Sequence, residues 1–146
     1  MTARLVGINH VALEVGDVEA ALELYGRIFE FELRGRAGRM AFIDMGDQFL
    51  ALSEGRTQGP DEGRHFGLVV SDKDAVRAAL EREGLLEPGR TLRFRDPWGN
   101  QFEIVGYRDI QFDRVPGVKR HLGIEGLEKS AAARAEIRER GLDLDG

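Results

Sequence analysis

The sequence predicts an α+β fold of two similar βαβββ modules followed by a C-terminal helical tail. Apolar side chains alternate along residues 5–15 and again along residues 65–70, and each stretch is followed by an aspartate that can cap a helix, Asp17 or Asp72. The histidines in these two stretches, His10 and His65, are 55 residues apart, as are the two aspartates. A near-constant offset of this kind indicates an internal repeat.

The first module is expected at residues 5–54. Its first strand has one apolar side and one polar-lined side, and His10 lies on the polar-lined side. The helix that follows Asp17 has apolar residues at helical spacing and is expected to end near Phe31. Three short strands are then predicted, separated by glycine-containing turns, at residues 31–36, 40–45 and 48–53.

The second module is expected at residues 65–107 and repeats this order in a shortened form. A strand at residues 65–70 precedes a helix at residues 74–83, which Gly84 is expected to end. Residues 85–90 are predicted as a weak turn or strand. Two strands follow, at residues 91–96 and 101–107, and residues 97–100 form the turn between them.

The remaining segments are a connector and a tail, all within a single domain of residues 1–146. Residues 55–64 are rich in glycine, proline and charge, and are expected to connect the modules. The C-terminal extension, residues 108–146, is expected to hold a helix at about residues 131–140, capped by Ser130. Because its apolar face is thin, we expect it to pack weakly on the domain or on a partner subunit.

The composition excludes several classes of function. A net charge of -5 disfavours a nucleic-acid partner, since the arginines form no continuous patch. The absence of cysteine excludes disulfides, thiolate metal sites and cysteine nucleophiles. No stretch approaches the roughly 18 apolar residues of a membrane span, and the N-terminus has no leader-like pattern, so a cytoplasmic protein is expected.

Three residues on separate predicted strands are candidate metal ligands: His10, His65 and Glu103. Each has the parity of the side opposite the apolar row of its own strand. If the two modules close their sheets around a shared concavity, two imidazoles and a carboxylate converge there, a set that suits Fe(II), Mn(II) or another divalent ion. Either histidine alone is more often a hydrogen-bonded structural residue, but a shared cation accounts for all three residues together.

Three segments resemble the vicinal oxygen chelate superfamily, which includes glyoxalase, bleomycin resistance protein and extradiol dioxygenase. They are Ile8-Asn9-His10-Val11-Ala12-Leu13, His65-Phe66-Gly67-Leu68-Val69-Val70 and Asp96-Pro97-Trp98-Gly99-Asn100-Gln101-Phe102-Glu103. The resemblance covers roughly residues 5 to 107. It implies paired modules that form a curved sheet around a central cavity, and one divalent metal ion, Fe, Mn, Ni or Zn, that binds two neighbouring oxygens of a small-molecule substrate.

The resemblance also has one departure. Aligning residues 48–50 with residues 101–103 places Leu50 where glyoxalase I enzymes carry a second glutamate. Leucine cannot accept a proton, so isomerase activity of the glyoxalase I type is less expected than dioxygenase, lyase or transferase chemistry. In each of these reactions the metal ion would act as a Lewis acid or bind O₂.

No residue is assigned a catalytic role, but several are candidates for contact with substrate. Arg93 is a candidate for an anionic group, as are Arg36 and Arg95, although strand arginines usually only solvate a sheet. The other candidates, each of which also has an ordinary structural interpretation, are Gln48, Leu50, Gln101 and Tyr107.

A metal-free protein that binds a drug or metabolite, like the bleomycin resistance proteins, is the alternative function. The resemblance implies that such proteins generally lack the full ligand set, which favours an enzyme. It also implies a homodimer, because two-module chains of this family commonly pair to complete their sheets. Whether the site forms within one chain or across a dimer stays open, as do the substrate and the role of the tail.

Overall fold

The computed structural model describes residues 1–142, which form two compact units. The first unit is Met1–Gly59 and the second begins at Pro60. The boundary lies within the predicted connector, residues 55–64.

The first unit is one four-stranded sheet with one helix. The strand order is β1-β4-β3-β2, in which β1 runs parallel to β4 and the other pairs are antiparallel. The elements are β1 (His10–Val15), α1 (Val18–Ile28), β2 (Leu33–Ala37), β3 (Met40–Asp44) and β4 (Phe49–Glu54). The predicted βαβββ order is therefore present in this unit.

Helix α1 covers one face of this sheet. Asp17 caps it, since its carboxylate accepts a hydrogen bond from Ala20 N at 2.8 Å. The helix buries its apolar stripe, including Leu24 and Tyr25, against the strand face that carries Leu13 and Val15. His10 lies on the other face of β1 and is exposed, as the alternation predicted.

The second unit contains a three-stranded sheet of order β5-β7-β6, in which β5 is parallel to β7. Asp72 caps its helix through Ala75 N at 3.0 Å, and Gly84 ends the helix in a left-handed conformation, φ 69°. The elements are β5 (Phe66–Val70), α2 (Lys73–Glu83), β6 (Leu92–Arg95) and β7 (Gln101–Gly106).

The predicted strands differ from the structure in two details. Residues 85–90, predicted as a weak turn or strand, form no strand, so the second module is βαββ rather than βαβββ. Pro88 lacks an amide hydrogen and Gly89 has φ 138°, and both features disfavour a sheet strand. The first strand begins at His10 rather than at residue 5, and Leu5 and Val6 are almost fully exposed.

The C-terminal extension packs within the second unit. Its elements are a 3-10 helix (Tyr107–Asp109), α3 (Pro116–Leu122) and α4 (Ala131–Glu139). Helix α4 was predicted, but its packing is closer than its thin apolar face suggested, because Ala133 and Ile137 are buried and Ser130 N donates to Arg108 O at 2.9 Å. Across residues 1–142, no helix is both long enough and apolar enough to span a membrane.

Candidate metal centre

His65 and Glu103 lie next to each other in the second unit. His65 immediately precedes β5, and Glu103 lies on the adjacent strand β7, paired with Gly67. The distance from His65 Nε2 to Glu103 Oε2 is 3.4 Å. Two of the three predicted ligands are thus brought together, on a partly exposed face of the sheet.

The backbone fixes the orientation of the His65 ring. Its Nδ1 lies 3.0 Å from the carbonyl oxygen of Gly63. A carbonyl can only accept, so Nδ1 carries a proton in this hydrogen bond, and in the neutral ring Nε2 keeps its lone pair. A second hydrogen bond of this kind commonly sets the tautomer of a metal-binding histidine. Nε2, directed at Glu103, is therefore the nitrogen available to a cation.

Arg93 lies beside this pair. It is paired with Glu103 in the β6–β7 ladder, and its Nη2 is 3.8 Å from Glu103 Oε2, too far for a hydrogen bond. Its Nε is buried and has no hydrogen-bond partner in the part of the chain that the structure describes. Arg95, two residues further on, binds Asp61 O and Glu87 instead. The Nε of Arg93 thus has no hydrogen-bond partner among the described residues, whereas the Nε of Arg95 donates to Asp61 O.

His10 belongs to the first unit. Its Nδ1 is 2.8 Å from Asn9 Oδ1, so Nε2 is the nitrogen left for a ligand role. The ring stacks on Phe49 with centroids 4.8 Å apart and planes inclined by 10°, and Phe42 meets Phe49 edge-on at 5.8 Å. His10 therefore sits at the end of an aromatic surface on the sheet face opposite α1.

The donor set fits a divalent cation in part. Imidazole nitrogen and carboxylate oxygen suit Zn, Fe, Ni and Mn, and His65 and Glu103 are already within a distance that one ion can bridge. Within residues 1–142, however, no three histidine, aspartate or glutamate side chains form a group that could hold a metal ion. The third ligand, His10, stays a prediction.

The strand register corrects the position assigned to Leu50. Glu103 pairs with Gly67, two residues after His65, and the residue two after His10 is Ala12, which pairs with Ala51. Ala51 is thus the counterpart of Glu103. Leu50 corresponds to Phe102, and both are buried on the helix-covered faces, 3% and 0% exposed. The alignment was wrong by one residue, but the first module still lacks a second carboxylate at this place, because alanine has none.

The two glutamines differ in their surroundings. Gln101 is 4% exposed and donates to Glu62 O and Arg64 O at 3.4 and 3.3 Å, so it holds the connector. Gln48 lies in the β3–β4 turn, where its carbonyl accepts from Met45 N at 3.0 Å. For Gln101 these contacts support the structural interpretation.

Tyr107 is part of a polar cluster in the C-terminal extension that sequence reasoning missed. Its hydroxyl donates to Asp113, whose carboxylate also accepts from Lys119 Nζ at 2.9 Å. The Lys129 ammonium lies 3.7 Å above the Tyr107 ring and donates to Tyr107 O at 2.6 Å. The predicted parity with Glu103 ends at Gly106, because the strand ends there and Tyr107 begins the 3-10 helix.

Burial and hydrogen bonding shift the pKa values of this cluster. Burial, together with the bond to Asp113, raises the pKa of Tyr107. Burial acts to raise the pKa of Asp113, but hydrogen bonds from Tyr107, Lys119 and the Arg114 amide outweigh it and leave that pKa below its ordinary value. Burial lowers the pKa of Lys129. These interactions tie the extension together.

The family of the chain follows from comparison with known proteins. The profile of the Glyoxalase/Bleomycin resistance protein/Dioxygenase superfamily matches residues 7–83. The chain belongs to this superfamily, as the resemblance predicted, and the matched range includes the segments of His10 and His65.

Individual relatives are distant in sequence. Metallothiol transferase FosB of Bacillus licheniformis is 22% identical over 130 residues, which cover 77% of this chain and 81% of that protein. The crystal structure of the fosfomycin resistance protein FosX from Listeria monocytogenes with Mn(II) and sulfate matches with a TM-score of 0.61 and 16% identity, covering 82% of this chain and 99% of that one.

Lactoylglutathione lyase from Agrobacterium tumefaciens has a crystal structure that matches with a TM-score of 0.58 and 22% identity, covering 71% of this chain and 96% of that one. These likenesses confirm the predicted fold class, in which strand-and-helix modules of the glyoxalase type are followed by a helical extension.

Proposed function

We propose that this protein is a metal-dependent small-molecule enzyme of the vicinal oxygen chelate type, with His10, His65 and Glu103 as ligands of one divalent ion. The 3.4 Å approach of His65 Nε2 to Glu103 Oε2 is the observation that carries the proposal. Three protein ligands leave coordination positions for two adjacent oxygens of a substrate. The bound ion would supply Lewis-acid stabilisation of negative charge on those oxygens.

The side chains around the ligands define two kinds of contact. Arg93 places a partly exposed guanidinium beside Glu103, where its positive charge suits an anionic group of the substrate. In the first unit, Phe42 and Phe49 beside His10 offer an apolar surface for the remainder of the molecule. Substrates with adjacent oxygens and one acidic group fit this arrangement.

The reaction is proposed to be an addition or transfer rather than an isomerisation. An isomerase needs a protein base to move a proton between adjacent carbons, and Ala51 stands where the second carboxylate would lie. The name of one relative, a metallothiol transferase, favours transfer over isomerisation. The likeness to the lyase gives less support for a shared reaction, because Ala51 cannot serve as that base.

We further propose a homodimer in which His10 of one copy completes the site of the other. Strands β1 and β5 each end the strand order of their own sheet, so each has one edge free to pair within the described residues. His10 lies on β1, and His65 immediately precedes β5. Pairing of such edges in a symmetric dimer would bring the ligands of two copies together.

Metal analysis of protein purified without a histidine tag tests the proposal. Near-stoichiometric Fe, Mn, Ni or Zn is expected in the native protein and its loss in His65→Ala. Glu87→Gln, which removes a carboxylate that pairs with Arg95 instead, is the matched control and should keep the metal. A native protein that binds no divalent ion at micromolar concentration would favour the metal-free binding protein and overturn the enzyme.

A further inference from the structure

The connector segment of residues 60–64, which we call the docked segment, lies against the β6–β7 hairpin. Asp61 makes the central contacts. Its amide donates to Gly99 O at 2.8 Å, and its Oδ2 accepts from the amide of Gln101 at 3.1 Å. Asp61 is 7% exposed, so the bond to its carboxylate is a buried hydrogen bond to a charged group, which is stronger than an ordinary one.

The other groups of Asp61 are also engaged. Its carbonyl accepts from Arg95 Nε and Nη2 at 3.3 and 3.0 Å, and its Oδ1 accepts from Arg64 Nε and Nη2 at 3.0 and 2.6 Å. The Gln101 amide side chain binds the carbonyls of Glu62 and Arg64. The backbone on both sides of Gly63 is therefore held to the hairpin.

The turn of residues 96–100 is shaped to receive the docked segment. Asp96 organises the turn by accepting from the amides of Trp98 and Asn100 at 3.1 and 2.9 Å. Gly99 has φ 89°, and a Cβ at this position would lie 2.5 Å from Pro60 Cα. Only glycine allows this conformation and this close approach. The turn of residues 96–100 therefore provides the surface on which the docked segment packs.

These contacts lead to the metal centre through one carbonyl. Gly63 lies inside the docked segment, and its carbonyl accepts from His65 Nδ1. Gly63 has no side chain of its own to hold it, so its position depends on its neighbours along the chain. Gln101 holds the carbonyls of Glu62 and Arg64, and Asp61, two residues before Gly63, holds the segment through its buried carboxylate.

We propose that Asp61 is a positioning residue for the metal centre. By seating the docked segment on the hairpin, Asp61 places the Gly63 carbonyl so that His65 Nε2 faces Glu103. The role in metal binding rests on the proposed function above, whereas the orientation of the His65 ring is a property of the metal-free chain.

The test compares Asp61→Ala and Asp61→Asn with Val76→Ala, a core substitution in α2. Asparagine keeps an acceptor for the Gln101 amide but loses the charge that binds Arg64. Two quantities are measured well below the melting temperature of every variant: the tautomer of His65, by ¹⁵N NMR of the metal-free protein, and the dissociation constant for Mn(II). Val76→Ala shows what a general loss of stability does to both.

The native protein should hold the proton of His65 on Nδ1. In Asp61→Ala we expect a mixture of tautomers and at least about a tenfold weaker Mn(II) affinity, as is common when a partner of a metal-binding histidine is lost. Asp61→Asn should lie between, and Val76→Ala should match the native protein. Gly99→Ala adds a Cβ that would displace Pro60 and with it the docked segment. Its His65 tautomers and Mn(II) affinity should therefore resemble those of Asp61→Ala.

The possible failures are distinct. If the native protein binds no Mn(II) or other divalent ion, the proposed function fails, and the tautomer of the metal-free variants still decides whether Asp61 orients His65. If Asp61→Ala leaves both the tautomer and the affinity as in Val76→Ala, Asp61 only stabilises the fold and the inference is overturned.

Discussion

Ala51 in the first sheet occupies the position that Glu103 occupies in the second. Ala51 pairs with Ala12, two places after His10, and Glu103 pairs with Gly67, two places after His65. The repeat therefore offers two equivalent places for a carboxylate and uses one of them.

This register makes a prediction about the neighbouring position. Leu50→Glu places a charge in the core under α1 and should lower the free energy of unfolding by about 4 kcal/mol or more. Ala51 is also only 3% exposed, but Ala51→Glu directs its longer side chain to the face opposite α1 and should cost less than Leu50→Glu. Urea denaturation of both variants measures the difference. The reverse ranking would show that Leu50, not Ala51, faces away from α1.

Completion of the site by a second copy predicts complementation between defective variants. His10→Ala and Glu103→Ala should each lose the metal. When the two are refolded together, about half of the dimers are mixed, and each mixed dimer holds one intact site of two, so about one quarter of the native metal content should return. Metal analysis of the mixture, with each variant refolded alone as control, measures this. No recovery would place all three ligands within one chain.

The guanidinium of Arg93 beside Glu103 predicts preference for an anion. Arg93→Gln should weaken the binding of inorganic phosphate to the Mn(II)-loaded protein by about tenfold or more, since hydrogen bonds to charged groups contribute about 1.5–3 kcal/mol. Arg36→Gln is the control, because it removes the same charge from an exposed pair with Glu19. Calorimetric titration with phosphate measures both. Equal affinities for the two variants would remove Arg93 from the proposed site.

The cluster around Asp113 predicts a pH-dependent stability. Because its pKa is lowered in the folded protein, Asp113 stabilises the fold fully above the ordinary carboxyl pKa, near 4, and loses this contribution as pH falls through the lower folded value. Asp113→Asn should cost about 1.5–3 kcal/mol at pH 7 and progressively less below about pH 4.

Urea denaturation at several pH values checks this. Asp74→Asn, at an exposed acid in the first turn of α2, is the control and should cost less than about 1 kcal/mol. A gap between native and Asp113→Asn protein that is unchanged down to pH 3 would contradict the assignment.

The sequence predicted those parts of the fold where alternation and caps agree. Asp17 and Asp72 cap the predicted helices, and His10 projects from the uncovered side of its strand. Along β7, polar Gln101 and Glu103 alternate with Phe102 and Ile104, so the outward position of Glu103 follows from the pattern.

Other features were not predicted from the sequence. Phe49, Leu50, Ala51 and Leu52 are all apolar, so β4 shows no alternation, and the shared Gln-Phe pair set the alignment one residue off. Helix α3 was missed although Pro116 at its start and Gly123 at its end are ordinary signs of a helix. The contacts of Asp61 are long-range, with a residue 40 positions away, and no local pattern predicts them.

The aromatic surface at His10 and the charged groups at His65 stand at related places in the two repeated modules. By register, Phe42 of the first module is the counterpart of Arg93 of the second. The repeat thus puts an apolar ring at the place where its other copy puts a guanidinium. A substitution of Phe42 would therefore change the apolar surface beside His10 while leaving all three proposed ligands in place.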